Sequence, residues 1–182
     1  MSDDDIPPDW RKSLRESGQT LWEAGQFHDA QVGKHASRQQ NTDIRGDAIC
    51  WVDTHAPLFS QHPFFTFLAE LRQTLNQRYY LGLRSEEFHF ARYDSGFGYK
   101  KHLDQHRNSQ HRKISVVLYL NDDWTAEDGG ELCLYDLEHV TSLLPLPGRL
   151  VIFRSDLVWH EVLPTLKTRW SLTGWFRDDL PL

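Results

Sequence analysis

The chain has 182 residues, of which 25% are charged, 39% hydrophobic and 13% aromatic, and its formal net charge is -6. That length supports one hydrophobic core without disulfide or metal staples, and the acidic balance with dispersed Lys and Arg disfavours a nucleic-acid partner. Two cysteines, Cys50 and Cys133, each inside an apolar run, make neither a disulfide framework nor a thiolate metal pattern.

The N-terminal MSDDDIPPDW carries acid where a signal peptide needs Lys or Arg, and no stretch reaches the ~18 consecutive apolar residues of a membrane helix. A cytoplasmic protein away from membranes is expected. Residues 1–8, acidic and Pro-rich, read as disordered. From Asp9 the residues Trp10, Leu14, Leu21 and Trp22 recur at helical spacing, with Ser17 and Gly18 interrupting the stripe and Gly25 offering a stop. Residues 28–43 are polar and follow neither period, which predicts a long flexible loop. In IRGDAICWV (44–52) a Gly-Asp turn precedes a strand over Ile49, Cys50, Trp51 and Val52. A second helix follows Pro63, its broad apolar face made by Phe64, Phe65, Phe67, Leu68, Leu71 and Leu75.

Beyond Glu86 the chain becomes β-rich, with eight runs at 87–94, 98–104, 113–121, 130–136, 141–146, 149–155, 159–164 and 168–176. Turns fall at Ser95-Gly96, Gly129-Gly130 and Pro147-Gly148, a spacing that suits a sandwich or barrel. The expected fold is mainly β, a double-stranded β-helix (jelly roll) with N-terminal helices packed on one sheet. The expected organisation is a single domain, with a helix and loop over 9–43 and the β domain over 44–182.

GYKKHLDQH (98–106) carries the first chemistry. Side chains at i and i+2 of a strand share a face, so His102 with Asp104, or Asp104 with His106, can converge on one ion. Such a triplet alone is as well explained by a solvated strand end. In DLVWHEVLP, however, His160 opens another β run, and two histidines with one carboxylate leave open positions on a non-haem Fe(II) centre. The same set also holds Zn(II), so a zinc hydrolase stays open. Nine residues on, Arg169 heads the last strand, and a chain reversal at Pro164 would return it to the interior as a cation for an anionic cosubstrate. Taken singly, His160 reads as a core histidine and Arg169 as a strand-edge charge.

RYDSGFGYKKHLD, VVLYLNDDW, GGELCLYD, RLVIFRSD and WHEVLPTLKTRWSLTGWF occur in an order that resembles the iron- and 2-oxoglutarate-dependent prolyl hydroxylase domain family, the hypoxia-sensing enzymes and their bacterial relatives, over about residues 42–176. The resemblance implies that His102, Asp104 and His160 bind Fe(II) and that Arg169 pairs with the distal carboxylate of 2-oxoglutarate. It implies a hydrogen bond from Tyr119 to that carboxylate and places Tyr93, Thr173 and Trp175 around the cosubstrate. Arg45 and Asp47 would border the substrate entrance, and His106 and His111, in a loop whose sequence departs from the family, would face solvent. The implied activity is a dioxygenase using Fe(II), 2-oxoglutarate and O2, with ascorbate as a reductant. Its implied substrate is a proline of a protein partner, a translation elongation factor being one class, and it would act as a monomer. A same-fold oxygenase of a small molecule or free amino acid, or a non-catalytic metal-binding sensor, are the alternatives.

Overall fold

The computed structural model describes residues 6–30, 44–105 and 110–180. Ten strands among these residues make two antiparallel sheets, of six and four strands. The larger has the order β1 (His28–Asp29), β2 (Asp47–Val52), β3 (Ser85–Tyr93), β10 (Arg169–Arg177), β5 (Arg112–Tyr119), β8 (Leu150–Arg154). In the smaller the order is β4 (Tyr99–His102), β9 (Trp159–Val162), β6 (Leu132–Tyr135), β7 (Val140–Leu143). This is the expected jelly roll, and all eight β runs are present, several trimmed at their ends.

Period-2 alternation explains how the central strands serve two cores. On β10, Trp170, Leu172 and Phe176 point to one side, with Phe88 and Phe90 of β3 and Val116 and Leu118 of β5, and the helices cover them. The opposite face of the same strands carries Val117 and Tyr119, which pack against Leu132, Leu143, Val151 and Phe153 between the sheets. Ile49, Ala91 and Tyr93 make a third cluster, with Tyr99 and Val162 against it.

Helix α1 (Pro8–Glu23) buries Leu14 and Gly18. Ser17 and Gly18 do not interrupt it. A Cβ on Gly18 would lie 3.0 Å from Phe90 and 3.2 Å from Trp170, so the missing side chain is what lets the helix approach the sheet. Nor does the acidic terminus wholly stay free: Ile6 is 3% exposed and belongs to the helix-side core, and Pro8 opens α1, while residues 1–5 lie outside the described residues. A short α2 (Pro57–Ser60), not anticipated from periodicity because it spans one turn, places Phe59 in the same core.

Helix α3 (Pro63–Tyr79) starts as its sequence suggests. Pro63 needs no intrahelical N–H donor, and the His62 ring accepts from Phe64 N at 3.2 Å. It ends at Tyr80 in the left-handed region (φ 54°), with Asn76 bracketing Leu83 by two hydrogen bonds of 2.7 and 2.8 Å. Phe64 is 0% exposed. Phe64→Ala should therefore cost about 3–5 kcal/mol, through lost apolar transfer plus an uncollapsed cavity. Urea unfolding would show this as a lower midpoint at unchanged slope.

Two further expectations are corrected. The 28–43 segment is not structureless at its start: His28 and Asp29 pair with Ile49 and Ala48, and Ala30 is buried; residues 31–43 lie outside the described residues. Gly46-Asp47 is not a turn before the strand, because Asp47 opens β2 opposite Tyr93, while Gly46 makes room for Phe97, whose Cδ1 would lie 2.5 Å from a Cβ there.

Candidate metal and cosubstrate site

The inner face of the large sheet and the histidine-bearing strands of the small one enclose a cavity. Lining it from the large sheet are Asp47 on β2, His89, Ala91 and Tyr93 on β3, and Arg169, Ser171, Thr173 and Trp175 on β10. From the opposite side come Tyr99, His102, Asp104 and His160. The two histidines are cross-strand partners on β4 and β9, with ring centroids 4.2 Å apart. A register shift between Tyr99 and His102 brings these residues, three apart, to one side, where their rings stack at 3.6 Å.

Asp104 is not on the strand, as simple i, i+2 spacing implies; β4 stops at His102 and the aspartate follows in a loop. Even so, its Oδ1 is 3.6 Å from His102 Nε2 and its Oδ2 is 3.5 Å from His160 Nε2. His102 Nδ1 lies 2.8 Å from Lys100 O, and His160 Nδ1 lies 3.1 Å from Val158 O. A carbonyl oxygen only accepts, so each Nδ1 donates and Nε2 is the nitrogen that faces the carboxylate: it donates to Asp104 when the ring is protonated, and in the neutral ring it carries the lone pair a metal ligand needs. Burial opposes the Asp104 charge, but the two imidazoles hold its carboxyl well below the usual range. Burial lowers His102, whereas His160, despite its own burial, is raised by Asp104.

One donor atom from each of His102, Asp104 and His160 lies within 4.8 Å of the others. The set matches divalent-cation chemistry of the two-histidine, one-carboxylate kind and leaves open positions. His111 with Asp178 and Asp179 makes a second cluster, but those carboxylates already pair with Lys113 at 3.1 Å and Arg177 at 2.7 Å on the surface, which neutralises them. His111 is exposed, as expected, and His106 lies outside the described residues.

Arg169 is the decisive side chain at the other end. It is 2% exposed, its Nε donates to Gly130 O at 3.0 Å, and among the described residues no carboxylate pairs with it. Its guanidinium sits 5.2 Å from the Tyr93 ring and 5.0 Å from the Tyr119 ring. A buried cation without an anion is costly unless a ligand supplies one. Tyr119 does not line the cavity; it is 0% exposed beside Arg169, burial pushes its phenol up, and its Oη has no hydrogen-bond partner among the described residues. A hydroxyl without a hydrogen-bond partner next to a guanidinium without a carboxylate partner, both among the described residues, fits a bound carboxylate. Strands β9 and β10 lie in different sheets, so the reversal that brings Arg169 inward is a crossing from sheet to sheet, not a hairpin.

The sequence model of the 2OG-Fe(II) oxygenase superfamily matches residues 88–177. A solved prolyl-4-hydroxylase from Pseudomonas putida superposes with a TM-score of 0.84 at 36% identity, over 96% of this chain and 89% of that one. The chain belongs to the 2OG-Fe(II) oxygenase superfamily, in its prolyl hydroxylase group. A Trichoplax adhaerens prolyl hydroxylase, solved with a hypoxia inducible factor peptide fragment, has a TM-score of 0.78 at 27% identity, covering 93% of this chain and 79% of that one. The human protein Egl nine homolog 1 is 28% identical over 184 residues, which cover 97% of this chain and 43% of that protein. This chain spans about half or less of the length of the first curated relatives it matches.

Several pocket residues escaped motif reading. Arg45 and Asp47 were expected at the entrance, and they form a two-pronged ion pair of 2.7 and 3.0 Å; burial works against the Arg45 charge, but the Asp47 carboxylate keeps its pKa above the usual arginine value. His89 and Arg112 were not expected. Arg112 stacks 3.5 Å over Trp175, and the His89 ring packs against both Trp51 and Trp175, at 5.0 and 5.3 Å. In EFHFARYD the polar His89 reads as a solvent-side position; only a strand buried on both faces makes it a cavity residue.

His89 Nδ1 and Trp175 Nε1 have no partner among the described residues. Burial first, and the Arg45 charge second, push the His89 imidazole down to about 3. The unfolded chain takes up that proton near pH 6.5 while the folded one does not, so the unfolded state binds more protons between those values. This stability is whole above pH 6.5 and is lost as pH falls, by up to about 1.4 kcal/mol per pH unit. His89→Leu should flatten the slope of unfolding free energy between pH 7 and pH 5. An unaltered slope would contradict a neutral, buried imidazole.

Proposed function

We propose that this chain is an Fe(II)- and 2-oxoglutarate-dependent dioxygenase that hydroxylates a prolyl residue of a protein substrate. The observation that carries the reading is Arg169, a buried guanidinium without a carboxylate partner in the cavity that also holds the His102, Asp104 and His160 donors. Pure metal storage needs no such anchor.

In this reading the three donors would hold Fe(II), which, when bound, would activate O2, the oxidant, so that 2-oxoglutarate becomes succinate and CO2 as a C–H bond becomes C–OH. One oxygen atom enters succinate and the other the product. Arg169 orients the keto acid through its far carboxylate, with Tyr119 Oη as a second donor. Apolar walls from Val117, Leu132, Phe153 and Val162 exclude water around the reacting atoms. Arg45 and Asp47 hold each other in the cavity wall, each offsetting the other's buried charge.

A protein substrate is favoured over a small molecule by Trp51, which is 45% exposed yet packs against the cavity-lining His89 and Trp175, so that an aromatic surface suited to a peptide segment adjoins the cavity wall. The buried free thiols Cys50 and Cys133 suit a reducing, cytoplasmic setting. Anaerobic loading with Fe(II) and 2-oxoglutarate, then air, tests the proposal with succinate and peptide mass followed together. A gain of one oxygen on proline in a peptide, an elongation-factor peptide being one arm, supports it. Ascorbate is a separate arm. Succinate formed only with a free amino acid would move the assignment to the small-molecule reading, and no keto-acid turnover with any substrate would end it.

A further inference from the structure

Asp104 lies beyond the end of β4, yet its side chain is held between two imidazoles and the residue is only 8% exposed. Two serines aim it. Ser115 Oγ, on β5, is 2.6 Å from Asp104 Oδ2, and Ser155 Oγ, just past β8, is 2.8 Å from Ser115 Oγ. Both serines are 0% exposed. An ionised carboxylate only accepts, so Ser115 donates to Oδ2, and the Ser115 oxygen is left to accept from Ser155. The main chain repeats the tie: Gln105 N donates to Ser155 O at 3.2 Å, and Ser155 N donates to Lys113 O at 3.1 Å. The aspartate loop is thereby fastened to β5 and to the end of β8.

The histidines flank the carboxylate almost evenly, at 3.6 Å on Oδ1 and 3.5 Å on Oδ2. Nothing in the triad itself tells the two oxygens apart. Ser115 does. We propose that Ser115, backed by Ser155, is a positioning residue that occupies Asp104 Oδ2 and so holds the carboxylate as a one-oxygen metal donor through Oδ1. This rests on the metal-site reading above. Two imidazoles and one oxygen leave three facial positions, two for a chelating keto acid and one for O2. A carboxylate free to give both oxygens would take one of them. The serine pair therefore protects a coordination number without touching the ion. It also spends two buried hydroxyls on a site where Ala or Val would otherwise pack, which a purely structural β-strand position does not require.

Mn(II) affinity by calorimetry and the visible absorption of the Co(II)-loaded protein test this without any turnover. Ser115→Ala should weaken Mn(II) binding by about 10- to 100-fold and change the Co(II) band, the range for removing a partner of a metal ligand. Ser115→Thr, which keeps the hydroxyl, should restore both, and Ser155→Ala should give a smaller loss in the same direction. Folded Ser115→Ala with wild-type affinity and an unchanged Co(II) band would overturn the proposal. Should Ser115→Ala not fold, Ser155→Ala decides by the same two readings. Failure of the wild-type protein to bind either ion at a site lost in His102→Ala is a different result: it removes the metal centre, and the serine pair's role with it.

Discussion

Arg169→Ala should raise the 2-oxoglutarate concentration for half-maximal turnover by about 150- to 5,000-fold, the equivalent of roughly 3–5 kcal/mol for breaking a buried charge pair. The physical source is the ligand, not the free protein. Without the guanidinium, a keto acid must still leave water to enter the cavity, and its far carboxylate then meets only Tyr119 Oη. Mn(II) affinity should stay near wild type, because Arg169 enters from the large sheet while the metal donors sit on the small sheet and its adjoining loop. The comparison separates the two halves of the site. Keto-acid affinity unchanged by the substitution would remove Arg169 from its role even if the metal centre stood. Arg169→Lys should recover only part of the loss, since a point charge cannot reproduce the forked geometry of a guanidinium.

Asp104→Ala should abolish turnover and weaken Mn(II) binding by well over the ~100-fold that follows loss of a ligand's own hydrogen-bond partner. The carboxylate is the anionic member of the set, and without it a divalent cation faces two neutral imidazoles and a stranded Ser115 hydroxyl. The readings are free Mn(II) by paramagnetic resonance and succinate by mass spectrometry, with near-ultraviolet circular dichroism to show that the cavity's aromatic residues keep their packing. Retained Mn(II) affinity in a folded Asp104→Ala protein would place the ion elsewhere and end the functional reading. Asp104→Asn is the finer variant: it keeps the shape and one acceptor oxygen but loses the charge and one of the two oxygens, so it should also bind Mn(II) far more weakly than wild type.

Much of this was legible in the primary structure, for reasons that differ from residue to residue. Strong alternation in KISVVLYLN and TRWSLTGWF marks strands because each has two chemically distinct sides, and Pro63 with the apolar face after it marks α3. His102, Asp104, His160 and Arg169 stood out by type and order. Tyr93, Thr173, Trp175, Arg45 and Asp47, named through family likeness, line the same cavity, whereas Tyr119 is buried beside the guanidinium and is not among the lining residues. What escaped was whatever depends on a neighbour distant in sequence. Ser115 and Ser155 are forty positions apart and look like ordinary strand residues. His89 looks like a solvent-facing residue until both faces of β3 are covered. The two-residue β1 is too short to carry any period and exists only because β2 offers an edge.

By itself the sequence determined the order of the eight β runs beyond Glu86, the two main helices, and the chemical identity of the candidate donors and the candidate anchoring cation, since hydrophobic period and side-chain type are local properties. Tertiary structure alone decided that β9 and β10 belong to different sheets, that a register shift turns Tyr99 onto the same side as His102, and that Asp104 is aimed from a loop by hydroxyls on other strands. Convergence to within a few ångströms is a property of pairing register and sheet packing. Those are settled by long-range burial and hydrogen bonding, and no spacing along the chain encodes them.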